Sequence, residues 1–402
     1  MSCKAINQPP MSSFGALRLA LAAATLMLAS VAGASACAIC FNGLVVTVGQ
    51  QIDAADQVVL ADPLPEEKFR VVAGVKGDLT VGAIIAEAVS NTKGRLAIDA
   101  FAAEPASSVA QSREGGPLLL IRNQLGQQWV SAGPIDLAHA GWLRQVAATY
   151  HGKPARARSA WPRSTLSLSE LTDAEWGERL TLVAPYLENS EPIVADIAYG
   201  EISRAPYGVL RALRPKLSAA KIAGWVDDSK LETRHSSYLL LLGIAGDSSD
   251  AAVLERRIDA AWTSHSVTEL AAMLAADLEI RGPSRVGAIE TMYFADGKRT
   301  LPEIEAALLA LSVQGGANAA IPRARVIEAY RVFMRERKPM AGFVALELAD
   351  WKYWDATSDY VDLLRSNTVK DPASHFMIVN YLAQSPQAAA KAALRSLERK
   401  PR

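Results

Sequence analysis

Residues 55–85 read ADQVVLADPLPEEKFRVVAGVKGDLTVGAII. Within DQVVLADPL and KFRVVAGV the apolar side chains recur at a period near two, which lays them on one face of a pleated strand. The same texture returns in AIIAEAV, RLAIDAF, PLLLIRN and QWVSAG. Turn signals stand between these runs: Lys76-Gly77-Asp78, Asn91 to Gly94, Gly115-Gly116-Pro117 and Asn123 to Gly126. A short helix is expected before them in LVVTVGQQIDAAD. Another follows in LAHAGWLRQVAATY, with Leu137, Trp142, Leu143 and Val146 on one stripe. Five or six short strands in about a hundred residues predict a small antiparallel barrel, because closing the sheet removes its exposed edges.

After Tyr150 the pattern changes. Residues 151–165, HGKPARARSAWPRST, combine prolines and arginines with few apolar side chains and read as a linker. From Leu168 onward the period is 3.6, and helices of about 10 to 18 residues follow one another with short breaks. Thr172-Asp173-Ala174-Glu175 opens the first as a capping box. A degenerate repeat of about 35 to 45 residues fits antiparallel helix pairs stacked side by side, with an irregular all-α domain as the rival reading because no strict consensus holds. The final run, QAAAKAALRSLER, is more polar, as the outer face of a terminal repeat must be. The expected fold class is therefore α+β and multidomain: a small antiparallel β-barrel over 37–150, a linker over 151–165 and an all-α solenoid over 166–402.

Composition narrows the function. The chain has 402 residues, 42 basic and 42 acidic side chains and no net charge. Neither a nucleic-acid-binding stripe nor a polybasic membrane patch stands out. With half the residues apolar and 21% charged, the chain can build a core. Residues 1–36 read as an export signal: Lys4 and Arg18, the apolar run LALAAATLMLASV, then Ala34-Ser35-Ala36 directly before Cys37. That run is too short to span a bilayer comfortably as a helix. A periplasmic or secreted location is expected for the mature chain.

Such a chain would begin at CAIC, Cys37 to Cys40. Outside the cytosol two cysteines this close suggest a disulfide. Lipidation of Cys37 is the competing fate, making the product an outer-membrane lipoprotein, and the two exclude each other. Thioredoxin-type redox chemistry needs the CxxC at a strand-to-helix junction. Covalent haem attachment needs a histidine where Phe41 stands, and a closed zinc site needs about four ligands. No cofactor and no metal is expected.

With these residues set out, a resemblance can be named. The CxxC start and the stretch over residues 55–85 resemble exported bacterial proteins of uncharacterised function. The β-rich part is similar to the OB-like barrel of netrin modules and tissue inhibitors of metalloproteinases. The inhibitors open with CxC and need further cysteines, so inhibition is not implied. The second part resembles HEAT-like helical repeats, best in EPIVADIAYGEISRAPYGVLRAL and RHSSYLLLLGIAGDSSDAAVLERRI. The resemblance implies an OB-like barrel followed by a HEAT-like solenoid and supplies no reaction.

Candidate site residues are few. His139, His151, His235, His265 and His375 stand apart in sequence. GDSSD, Gly246 to Asp250, lacks the strand and second glycine of a nucleophile elbow and reads as a turn, with Ser248 or Ser249 capping the next helix. Trp351, Tyr353 and Trp354, set between Asp350 and Asp355, could floor a binding site or pack between helices. Asp196, Tyr199 and Arg234 fit a buried structural network between repeats. The expected function is a non-catalytic interaction or scaffold protein of the bacterial envelope. Its partner would be a protein or peptide, not nucleic acid, with membrane contact only if Cys37 is lipidated. The alternative is an envelope enzyme or thiol-redox protein using the CxxC or a site built from distant residues.

Overall fold

The computed structural model describes Ile39 and residues 46–86, 89–91, 116–123, 128–152 and 171–398. Cys37, Cys40, the RLAIDAF strand and the linker beyond Gly152 lie outside the described residues. By contacts the chain divides after Ser35, and the described residues all belong to the unit Ala36–Arg402.

Helix α1 (Val48–Ala54) begins at a capping box. Thr47 Oγ1 accepts the Gln50 amide, and Gln50 Oε1 accepts the Thr47 amide. The helix is shorter than LVVTVGQQIDAAD predicts, because Ala55 is already extended and starts the sheet. Strands β1 (Ala55–Leu64), β2 (Lys68–Lys76), β3 (Ile84–Ile85), β4 (Val89–Asn91), β5 (Leu118–Asn123) and β6 (Trp129–Pro134) form one sheet in the order β3-β2-β1-β5-β6-β4.

Every neighbouring pair is antiparallel except β4 with β6, which is parallel. The stretch AIIAEAV, expected as one strand, holds β3 and reaches β4 only at its last residue, Val89, and these two strands occupy opposite edges. The sheet is thus a curled half-barrel with two edges among the described residues, not a closed antiparallel barrel. Its curl follows from irregular register in β1, at Val58/Val59 and Leu60/Ala61, since bulges increase local twist.

The period-two pattern sorts the sheet's faces. Val59, Ala61, Phe69, Val71, Leu118, Leu120 and Trp129 bury one another in a small core on one face. Val58, Leu60, Ala73, Leu119 and Ile121 face the other way, into the main core shared with the helices. Helix α2 (Ala140–Ala148) covers that side with Trp142, Leu143 and Val146, whereas Leu137, expected on the same stripe, is about half exposed at 47%. Leu137 lies in the preceding 3-10 turn, whose tighter winding rotates it off the stripe.

The helical region continues with α3 (Asp173–Val183), α4 (Pro192–Arg204), α5 (Ala219–Asp227), α6 (His235–Ala245), α7 (Ser248–Ser264), α8 (Leu270–Arg281) and α9 (Leu301–Gln314). It ends with α10 (Arg323–Glu336), α11 (Ala345–Asp350), α12 (Thr357–Arg365), α13 (Pro372–Gln384) and α14 (Ala388–Glu398). The predicted capping box holds α3, with Thr172 and Glu175 bonded reciprocally. Over 282–295, inside the region expected to be a run of α-helices, the chain forms instead a 3-10 turn, one α turn and a π turn, Glu290–Ala295.

Helices α6 and α8 are apolar on nearly every side, which suits burial between neighbours. Helix α8 packs against α6, α7 and α9. His235, the first residue of α6, reaches Glu269 just before α8, and His265, just after α7, reaches Glu303 in the first turn of α9. The amino ends of α6, α8 and α9 therefore lie along one edge, and the three helices run in the same direction. The architecture is mixed α+β, and one hydrophobic core runs from Ile39 to Ala393.

Candidate functional site

The most heavily buried polar cluster joins the sheet to the helices. Asp53 comes from α1, Arg179 from α3, and Glu201 and Arg204 from α4. Asp53, Arg179 and Glu201 have fully buried side chains, and that of Arg204 is 5% exposed. In α3, Arg179 occupies the stripe of Trp176, Leu180 and Val183, so it points where an apolar side chain would normally go.

The Arg179 guanidinium grips both oxygens of Asp53 at 2.7 Å. It also donates to Glu201 Oε2 at 3.1 Å, Thr149 Oγ1 at 2.6 Å and the Val146 carbonyl at 3.0 Å. Arg204 donates to both oxygens of Glu201, at 2.6 and 3.0 Å, and to Asp53 at 3.3 Å. Its guanidinium lies 4.5 Å above the Trp176 ring. Lys76 from β2 donates to the carbonyls of Ile52 and Asp53 at 3.0 and 2.7 Å.

Burial opposes the charge on Arg179, but Glu201 and Asp53 outweigh it and push its pKa up. Burial likewise opposes ionisation of Glu201, but Arg204 and Arg179 outweigh it and hold its pKa down. Desolvation lowers the pKa of Lys76 against the pull of Asp53 and Asp56. Two guanidinium groups and two carboxylates, hydrogen-bonded to one another from α1, α3 and α4, make a fastening between sheet and helices. The bidentate geometry suits this role.

Asp196, Tyr199 and Arg234 come together, but at the surface and not buried as expected, with the Asp196 side chain 56% exposed. Arg234 donates to Asp196 and, at 2.6 Å, to Glu188, and its guanidinium lies 4.8 Å above the Tyr199 ring. Glu188 also accepts from Tyr238, and Ser237 donates to the Tyr199 hydroxyl. Burial raises the Asp196 pKa despite Arg234. Burial, then Glu188, moves that of Tyr238 upward.

The aromatic run is packed between helices. Trp351 stacks on Tyr330 with centroids 5.7 Å apart and planes 1° from parallel. The Tyr353 carbonyl accepts from the Tyr381 hydroxyl at 2.6 Å, and Trp354 lies 5.2 Å from the Tyr381 ring. All three are half-buried against the core.

Both nitrogens of His235 are engaged, Nδ1 with Glu269 at 2.8 Å and Nε2 with the Asp228 carbonyl at 2.9 Å. In GDSSD it is Asp247, not Ser248 or Ser249, that caps α7, because its carboxylate accepts the Ser249 amide. This turn borders an open cleft of about 540 Å³ lined by Arg214, Asp247, Ser248, Ile280 and Arg281. Arg281 in this lining is ion-paired with Glu255 at 2.9 Å and Asp277 at 3.1 Å.

Among the described residues no three His, Cys, Asp or Glu side chains are placed to share a metal ion, and no helix is long and apolar enough to cross a membrane. Sequence reasoning missed the Asp53–Arg179–Glu201–Arg204 cluster, whose signal was a polar residue on an otherwise apolar stripe. Compared with protein-family models, curated proteins and solved structures, the chain matches none.

Proposed function

We propose that this chain is an exported, non-catalytic interaction protein of the bacterial envelope. In this reading an OB-like β module is fixed to a HEAT-like helical stack whose outer surface binds a protein or peptide. The observation that carries it is the buried Asp53–Arg179–Glu201–Arg204 fastening. Charged groups are spent on making the sheet and helices one rigid body, the requirement of a scaffold that presents a surface. The same-direction trio α6, α8 and α9, with α7 packed on α8, supports the repeat reading, since two-helix repeats set like helices side by side. The leader-like order of residues 1–36 supports export, to the periplasm, to the medium or, through a lipid on Cys37, to the outer membrane.

Two measurements test this. A photocrosslinking residue placed in cells at the exposed Val253, Val267 or Leu301 should give a discrete adduct, while one at Val81 beside the sheet should not. Intact mass of the purified chain, with and without reductant, should show cleavage before Cys37 and either a disulfide or a lipid. Full-length cytosolic protein, or adducts at Val81 alone, would overturn the proposal.

A further inference from the structure

The connection between α7 and α8, residues 265–269, is tied down at both ends. His265 (φ 57°) and Glu269 (φ 58°) sit in the left-handed region that residues with a Cβ rarely adopt. Glu269 stands where a helix cap belongs, yet its side chain caps nothing in α8 and goes to His235 of α6 instead. At the other end His265 reaches Glu303 of α9. His235 is buried, and both its ring nitrogens face acceptors: Glu269 Oε1 lies 2.8 Å from Nδ1 and the Asp228 carbonyl 2.9 Å from Nε2. A carbonyl and an ionised carboxylate can only accept, whereas a neutral imidazole has a single N–H. The two contacts together therefore require one proton more than a neutral ring and a carboxylate carry. The imidazole, the stronger base of the two, takes it.

We propose that this connection is a proton-held strap, pinned between α6 and α9 while His235 carries both ring protons and released at Glu269 when one of them is lost. Loss of the Nδ1 proton sets a lone pair against the carboxylate, and loss of the Nε2 proton sets one against the carbonyl. Either way a buried contact turns repulsive, and the left-handed backbone at Glu269 loses its side-chain anchor. Val267, 43% exposed in the middle of the strap, moves with it. His265 uses one nitrogen only among the described residues, so a neutral ring keeps its bond to Glu303 and that end is the hinge. Other charges on elements packed against α6 are placed elsewhere. Arg234 pairs with Glu188, and Asp227 of α5 pairs with Arg257 of α7, while Lys221, Lys230 and Glu232 are exposed. Toward the carboxyl ends of α6 and α8, Arg214 holds the Ile244 carbonyl, Arg211 holds Glu279, and Asp277 is paired with Arg281 and Arg285.

The test is amide hydrogen exchange of the whole chain from pH 5 to 9, corrected for intrinsic rates, with the ring nitrogens of His235 followed by NMR of the histidine-labelled chain. The Leu270 and Met273 amides donate to the Val267 and Glu269 carbonyls. Their exchange should speed up about tenfold or more as the second ring proton is lost, while amides in the middle of α9 keep their protection. Glu269→Gln should abolish this pH dependence and leave the connection protected throughout, because a glutamine amide can donate to the bare Nδ1 of a neutral ring. If that variant fails to fold, the parent decides alone, since ring protonation and exchange are read on the same chain. A neutral His235 beneath a protected connection, exchange unchanged across the range, or a pH dependence that survives in Glu269→Gln would overturn the strap.

Discussion

Removing Arg179 strands two buried carboxylates. Asp53 and Glu201 would lose that guanidinium while keeping Arg204, and breaking a buried ion pair on one side costs about 3–5 kcal/mol. Arg179→Met is expected to lower the unfolding free energy by that amount, seen as a lower urea midpoint with the slope unchanged. Arg179→Lys should recover little, because one ammonium cannot span both oxygens of Asp53 and also reach Glu201, Thr149 and the Val146 carbonyl. Recovery to near the parent midpoint with lysine would mean that charge matters here and geometry does not. Arg234 makes the contrast. In its pair with Asp196, which is 56% exposed, water screens the charges, so Asp196→Asn should cost far less.

Between elements, the tightest approach is α1 against α4. A Cβ on Gly49 would fall 1.9 Å from Glu201 Oε1, and one on Gly200 would fall 3.0 Å from Thr47 Cβ. A glutamate tip could ordinarily swing aside, but Arg179 and Arg204 pin this one. Gly49→Ala is therefore expected to destabilise by about 1–3 kcal/mol, measured by urea unfolding, although alanine is the better helix former by roughly 1 kcal/mol. A neutral or stabilising result would show that propensity wins and that the crossing is loose. The strands β1, β2, β5 and β6 and the capping box at Thr172 were legible in the sequence, because alternation and caps are local patterns. The parallel pairing of β4 with β6 was not, since strand partners depend on contacts outside the run. Nor were the 3-10 and π turns over 282–295, where the residues suit an α-helix and packing of Tyr293 and Phe294 decides otherwise.

For the whole molecule, the continuous core predicts one cooperative transition. Far-ultraviolet and near-ultraviolet circular dichroism should melt together, and a fragment ending at residue 152 should show no cooperative melt, because Val58, Leu60, Leu119 and Ile121 would lose their cover. Two separated transitions would show that the sheet and the helices fold independently. What the sequence determined by itself was the class of each segment, strands then helices, since a period of two or 3.6 is written in neighbouring side chains. It also brought Asp196, Tyr199 and Arg234 into view as one group. Only the tertiary structure decided that the sheet of the described residues stays open and that Asp53 meets Arg179 across 126 positions. Charge pairing inside a core depends on distances through space, and those exist only once the apolar faces have closed.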